Sequence, residues 1–81
     1  MIINEYNIRK TLSDNGFQYQ IKSRSCIEFT HNDTYRIDFK NEQLIQIVKY
    51  NSTLAEGQEY HWQFKDMYNF IYWLIHTQKY Y

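Results

Sequence analysis

The sequence has no proline, only two glycines and only one cysteine in 81 residues. Cys26 cannot form an intramolecular disulfide, and it leaves no cysteine pair for a structural zinc site. Gly16 and Gly57 stand in no motif, so no glycine-rich loop that could cradle a phosphate is present. We therefore expect no cofactor and no metal, and a chain this short has to be stabilised by its apolar core alone.

No excess of charge of either sign is present. Nine lysines and arginines balance nine aspartates and glutamates, which gives a formal net charge of +0 at pH 7. A nucleic-acid-binding protein usually carries a basic stripe, and an acidic mimic of DNA carries a large negative excess. Near-zero net charge also weakens repulsion between copies, so the composition is consistent with a homodimer.

Long apolar runs are missing as well. Nowhere do about 18 apolar residues follow one another, as a membrane-spanning helix requires. The first seven residues also lack a cationic segment followed by an apolar run, which a secretory signal would show. We therefore predict no contact with a membrane and a cytoplasmic location. The length predicts a single domain over residues 1–81.

Apolar and aromatic residues are richest near the C-terminus. Alternation of apolar and polar residues over 60–65 predicts a strand with one buried face. A spacing of three and four residues then predicts a long helix from about Asp66 to about Gln78. Asp66 is its expected N-cap, because its carboxylate can accept hydrogen bonds from the first turn. The apolar stripe of this helix consists of Met67, Phe70, Ile71, Leu74 and Ile75.

Upstream, the pattern predicts a helix over Ile3 to Asp14, with Asn4 as its N-cap and Asn15 and Gly16 as its stop. Strand alternation follows at about 17–22, 27–30, 35–40 and 43–50. Three strand residues before the first polar turn are expected on the buried face, namely Phe17, Tyr19 and Ile21.

The register of the second and third predicted strands can be derived from charge. A three-residue loop His31-Asn32-Asp33 places Thr30 opposite Thr34 and Glu28 opposite Arg36. A shift by two residues would instead place Glu28 opposite Asp38, a pair of like charges. We therefore predict the first register.

Together these elements predict an α+β fold with two layers. A helix is followed by an antiparallel β-meander of four to five strands and by a long C-terminal helix, and both helices pack on one face of the sheet. The longest irregular segment is expected from Asn51 to Gln58, where Leu54 could cover the sheet.

The other face of the sheet is the first candidate binding surface. If Ile45 and Ile47 are buried, apolar residues must project from a face that should otherwise be polar, which indicates a contact surface, a dimer seam or a loop cover. The alternative is a solvated sheet face. The candidate residues of this face are Arg36, Leu44, Val48, Tyr50 and His61.

The outer side of the last helix is the second candidate surface. Tyr72 and Tyr80 lie on or beyond it, and tyrosine is a frequent anchor of protein interfaces. The alternative is that these tyrosines merely cover the sheet margin. The sequence does not decide which of the two surfaces makes the contact.

Residues with catalytic chemistry form no convincing group. Cys26, His31 and Asp33 are close in sequence, but spacing alone does not identify a nucleophile with its base. The three histidines fall on separate predicted elements and include no closely spaced ligand pair. We therefore predict a protein that is not an enzyme.

The opening of the chain resembles a known class of inhibitor. Ile3-Asn4-Glu5 followed by Ile8-Arg9, and then by a strand with alternating Phe17, Tyr19 and Ile21, is similar to the start of a small phage-encoded anti-CRISPR protein. The resemblance covers about the first quarter of the chain. It implies a phage or mobile-element origin, a helix, meander and helix layout, and inhibition of a host defence complex or nuclease in the host cytoplasm.

Our first hypothesis is thus a non-enzymatic binding protein that acts through a protein–protein interface. The alternative is a nucleic-acid-binding regulatory protein that uses the open face of the sheet. Platforms for single-stranded nucleic acid stack bases on exposed aromatic residues, whereas the strand aromatics of this sequence point mostly toward the core.

Overall fold

The computed structural model describes residues 2–31, 33–41, 43–50 and 60–79. Within these ranges, the side chains of Asn41, Tyr50, Tyr60 and residues 77–79 are outside the description. The elements in chain order are α1 (Glu5–Asp14), β1 (Gln18–Ser23), β2 (Cys26–His31), β3 (Asp33–Asn41), β4 (Leu44–Tyr50), β5 (Tyr60–Phe64), α2 (Met67–Trp73) and a π-helical segment (Leu74–Lys79). The predicted α+β class is confirmed, with five strands.

The five strands form one antiparallel meander in the order β1-β2-β3-β4-β5. Thr30 pairs with Thr34 and Glu28 pairs with Arg36, so the register derived from charge is confirmed. The predicted loop is shorter than expected, because His31 and Asp33 are themselves a strand pair.

One apolar cluster joins the helices to the sheet. It contains buried side chains of α1, of α2 and of one sheet face, so both helices pack on that face. Ile3, which precedes α1, is buried in the same cluster although the helix begins only at Glu5. The side chains with no exposed surface are Ile8, Leu12, Ile27, Phe29, Ile37, Ile45, Ile47, Met67, Phe70 and Leu74.

Trp73 is the centre of the aromatic part of this cluster. Its ring lies 5.3 Å from that of Trp62 and 5.7 Å from that of Phe64, both on β5. Offset and edge-to-face rings at such distances add about 0.5–1.5 kcal/mol per pair beyond their burial. Further ring contacts join Trp73 to Phe29, Tyr35 and Phe70.

Both ends of α1 are fixed by the predicted residues. The Asn4 side chain accepts a hydrogen bond of 2.8 Å from the Asn7 amide, as an N-cap does. At the other end Gly16 has a φ of 79°. The Gly16 amide donates to the Ser13 carbonyl and the Phe17 amide donates to the Leu12 carbonyl, at 3.1 and 2.9 Å. This bond pair defines a Schellman motif, which satisfies carbonyls that the helix itself leaves unpaired.

We expect Gly16→Ala to lower the free energy of unfolding by about 1 kcal/mol, because alanine is disfavoured at positive φ. A Cβ at this position would meet no atom within 4 Å, so the cost comes from the backbone alone. Gly16→Asn is the matched control, since asparagine tolerates this conformation better. Urea unfolding followed by circular dichroism measures both, and an alanine variant no less stable than the asparagine variant would contradict the prediction.

The C-terminal helix differs from its prediction in its second half. Asp66 is the N-cap, and its carboxylate accepts from the Asn69 amide at 2.8 Å. The α-helical turns end at Trp73, however, and the chain continues as a π-helix to Lys79. No glycine follows Trp73 to stop the helix, and β-branched residues such as Ile71 and Ile75 weaken α-helical preference. The predicted C-terminal helix is therefore confirmed in part: the chain is helical to Lys79, but its second half is π-helical and not α-helical.

Ile21 is the other correction, because its side chain is 48% exposed although alternation predicts it in the core. β1 is an edge strand, and burial decreases from Phe17, which precedes it and is buried, through half-buried Tyr19 to Ile21. The helices thus cover the beginning of β1 and not its end. Among the described residues, no helix has the length and apolar character needed to cross a membrane.

Candidate functional site

The open face is the side of the sheet opposite the two helices. Strand pairing lines up five of its side chains directly across β1 to β5, and we call this set the central row: Gln20, Glu28, Arg36, Val48 and His61. A second row runs beside it and consists of Cys26, Asp38, Gln46 and Gln63. Arg36, Val48 and His61 are predicted site residues, and the structure brings them together in one line.

The β1 end of the central row is a small charge cluster. The Glu28 carboxylate lies 3.8 Å from the Lys22 ammonium and 3.7 Å from the Arg36 guanidinium. Lys22 and Arg36 are about half exposed, so these ion pairs add less than about 1 kcal/mol each. Weak pairs of this kind can exchange for charges on a partner at little cost.

The β4 part of the open face contains two aliphatic side chains, Leu44 and Val48, with Gln46 between them along the strand. Val48 lies between Arg36 and His61 in the central row, and its side chain is half-buried. Leu44, also half-buried, begins the same strand and pairs with Asn41. Tyr50 pairs with Thr34, and its side chain is outside the described residues. The structure therefore places Leu44 and Val48, two of the predicted residues, on this face.

Charges of both signs lie on and beside the two rows. Arg36 and neighbouring Lys22 are matched by Glu28 and Asp38. Among the described side chains of the open face there is no tyrosine, tryptophan or phenylalanine. The described face thus has neither the basic stripe nor the stacking rings of a nucleic-acid platform.

The second candidate surface lies on the helical side of the molecule. Tyr68 and Tyr72 are 68% and 65% exposed on α2. The Tyr72 ring packs on His76 with centroids 4.2 Å apart. Tyr80 is outside the described residues. Because α2 packs on the opposite face of the sheet, the structure does not bring Tyr72 together with the central row.

A third surface, around α1, was not predicted. The Arg9 guanidinium donates to the Tyr19 hydroxyl at 3.3 Å and lies 5.9 Å from the centre of its ring. This hydrogen bond lowers the pKa of Tyr19. Together with Tyr6, Lys10 and Ser13 these two side chains line a surface cleft of about 360 Å³. The only sequence signal for it is the three-residue spacing of Tyr6 and Arg9, which places them on one side of a helix.

The residues considered for catalysis are spread over β2 and β3. Cys26 and His31 begin and end β2, which separates their Cα atoms by about 16 Å. The His31 ring packs against Phe17 at 5.2 Å. Burial raises the pKa of the Cys26 thiol, so the thiol is protonated at neutral pH. Within the described ranges, no three side chains of histidine, cysteine, aspartate or glutamate cluster as metal ligands would.

No family model matches the chain, and neither does any curated protein or solved structure. Architecture by itself does not define a function, because one fold can serve many. The chemistry of the open face is therefore the basis for a functional conclusion. That face combines two half-buried aliphatic residues with a balanced set of charges.

Proposed function

We propose that this chain is a non-enzymatic binding protein that contacts a protein partner through the open face of its sheet. The observation that carries the proposal is the position of Val48, an apolar side chain between Arg36 and His61 in the central row. Protein interfaces typically have an apolar centre and a polar, partly charged rim. Arginine is also enriched among the residues that contribute most to binding.

The balance of charge favours a protein over a nucleic acid. Neutralising several phosphates requires an excess of lysine and arginine on one face. On the open face Glu28 already neutralises part of the charge of Lys22 and Arg36. A protein partner with its own mixed charges could instead exchange pairs with all three side chains.

The resemblance to phage-encoded anti-CRISPR inhibitors supplies the first partner to test. It supports a nuclease complex of a host defence system as the target, in the host cytoplasm. An inhibitor of that type needs no catalytic group, because it acts by occupying the surface of its target. The function that we propose is thus stoichiometric inhibition or modulation.

The test compares the wild-type chain with a Leu44→Ser, Val48→Ser double variant for binding to a purified CRISPR nuclease complex. We expect at least about 30-fold weaker binding by the variant, which corresponds to about 2 kcal/mol for a central contact. Both side chains are half-buried, so the variant should remain folded. Tyr68→Ser, a change on the helical side, is the matched control and should bind as the wild type does.

Dependence on salt distinguishes the alternative. Binding to the nuclease complex should change little between low and high salt, whereas affinity for single-stranded oligonucleotides that falls steeply with salt would favour the nucleic-acid hypothesis. Wild-type binding by the double variant would remove the open face as the contact surface. The same loss with Tyr68→Ser would shift the contact to α2.

A further inference from the structure

The outer edge of β1 is one of the two edges of the described sheet, and β5 forms the other. Among the described strands, β1 pairs with β2 alone. The backbone N–H and C=O groups on the outer side of such a strand can accept another strand. Proteins usually block such edges with proline, with several charges or with very short strands. β1 has six residues, no proline and a single charged residue, Lys22.

Lys22 does not block this edge. Its ammonium group lies 3.8 Å from the Glu28 carboxylate on β2, so the side chain leans back over the sheet. Next to it Ile21 is 48% exposed, although its cross-strand partner Ile27 is fully buried. β5, at the opposite edge, contains no aliphatic residue. Between the two edge strands, the exposed aliphatic side chain is therefore Ile21 of β1.

We propose that a second copy of this chain pairs with β1 in antiparallel fashion and joins the two sheets into one. A two-fold axis perpendicular to the sheet relates antiparallel edge strands of identical copies. Directly opposed side chains then lie on the same face. Helices of both copies pack on one side of the joined sheet, and both open faces lie on the other.

The register follows from charge and from the shape of the strand. Centring the axis on Gln20 places Tyr19 opposite the partner's Ile21 and Gln18 opposite the partner's Lys22. Each exposed isoleucine is then covered by a tyrosine ring, and no charged residue of β1 faces a like charge.

Two alternative registers are less favourable. Centring the axis on Lys22 would oppose two lysines, and the strand is irregular there, since its pairing shifts between Ile21 and Ser23. Centring it on Tyr19 would bring together two tyrosines that each have an arginine, Arg9, over the ring. Net charge of zero permits the approach of two copies.

Pairing of this kind extends the proposed function without depending on it. Two copies of the central row would lie on one continuous surface, so a partner with repeated sites would bind both with higher avidity. If the open face proves inactive, the dimer remains testable by its mass alone.

Light scattering coupled to gel filtration, over a dilution series, tests the proposal. The wild-type protein should have twice the chain mass of 10.1 kDa, and Ile21→Lys should reduce it to the mass of one chain. Tyr68→Lys is the matched control: it places the same charge on a residue of 68% exposure on α2 and should leave the dimer intact. Circular dichroism should show that both variants are folded.

Cross-linking tests the register. In a Cys26→Ser background, Gln20→Cys should form a disulfide-linked dimer on mild oxidation, since directly opposed residues have Cβ atoms about 5 Å apart. Gln63→Cys, on the same face but on β5, should remain monomeric. Three results would each overturn the proposal. They are a monomeric wild type, a dimer that persists in Ile21→Lys, and cross-linking at Gln63 in place of Gln20.

Discussion

Trp73→Ala is expected to lower the free energy of unfolding by about 3–5 kcal/mol, the usual cost of removing a large buried aromatic side chain. The indole is only 6% exposed, and its ring contacts among the described side chains come from β2, β3, β5 and α2. At about 0.05–0.15 kcal/mol per residue, a chain of this length has a total stability of about 4–12 kcal/mol. The substitution would therefore remove about a quarter of it or more.

Urea unfolding followed by far-ultraviolet circular dichroism measures this loss. Tyr68→Ala is the control, because it removes an aromatic side chain from the exposed side of the same helix and should cost less than about 0.5 kcal/mol. A loss below about 1 kcal/mol for Trp73→Ala would mean that α2 contributes little to the core. Both variants keep Asp66, so the N-cap is unchanged in the comparison.

The fold could be predicted to the extent that it depends on local physics. A two-residue period specifies a strand and its buried face whatever the neighbours are. Caps act within one turn, and Asn4, Gly16 and Asp66 all have the predicted roles. The pairing of Glu28 with Arg36 was also predictable, because a slip by two residues would create a like-charge pair.

The structure departs from the predictions where the same residues suit two different backbone conformations. Apolar residues recur every three or four positions from Met67 to Ile75. This spacing is the same whether the last turns are α-helical or π-helical, so it did not predict the π-helix after Trp73. Extension of β2 and β3 to His31 and Asp33 was missed for a related reason, because polar residues are typical both of loops and of exposed strand ends.

The residues of the open face were predictable from the alternation of side chains along each strand. Antiparallel pairing places residues of one face opposite one another, so the central row follows once the register and the buried residues are known. The contact of Arg9 with Tyr19 was not predictable, since it depends on the angle at which α1 lies across β1. Sequence periodicity defines the face of an element and not its docking angle.

Ile21 shows a second limit of the same kind. Alternation predicts Ile21 on the core face of the sheet, and its pairing with Ile27 places it on that face. Burial also depends on whether a helix or another strand covers that part of the sheet. Nothing in the alternation of a strand shows that it lies at an edge, so the exposure of Ile21 required the structure.

We therefore expect cross-strand partners Ile21 and Ile27 to respond very differently to alanine. Ile27→Ala should lower the free energy of unfolding by about 2–5 kcal/mol, because its side chain has no exposed surface and the cavity would be closed on all sides. Ile21→Ala should cost less than about 1 kcal/mol, since almost half of the side chain already contacts solvent. Urea unfolding of dilute protein measures both without a contribution from dimerisation.

Concentration then separates the two roles of β1. If β1 pairs with a second copy, the cost of Ile21→Ala should grow with protein concentration, because only the wild type gains stability from association. The cost of Ile27→Ala in each protomer should appear at every concentration. Equal losses for both substitutions in dilute protein would contradict the edge position of Ile21, since that result requires a covered side chain.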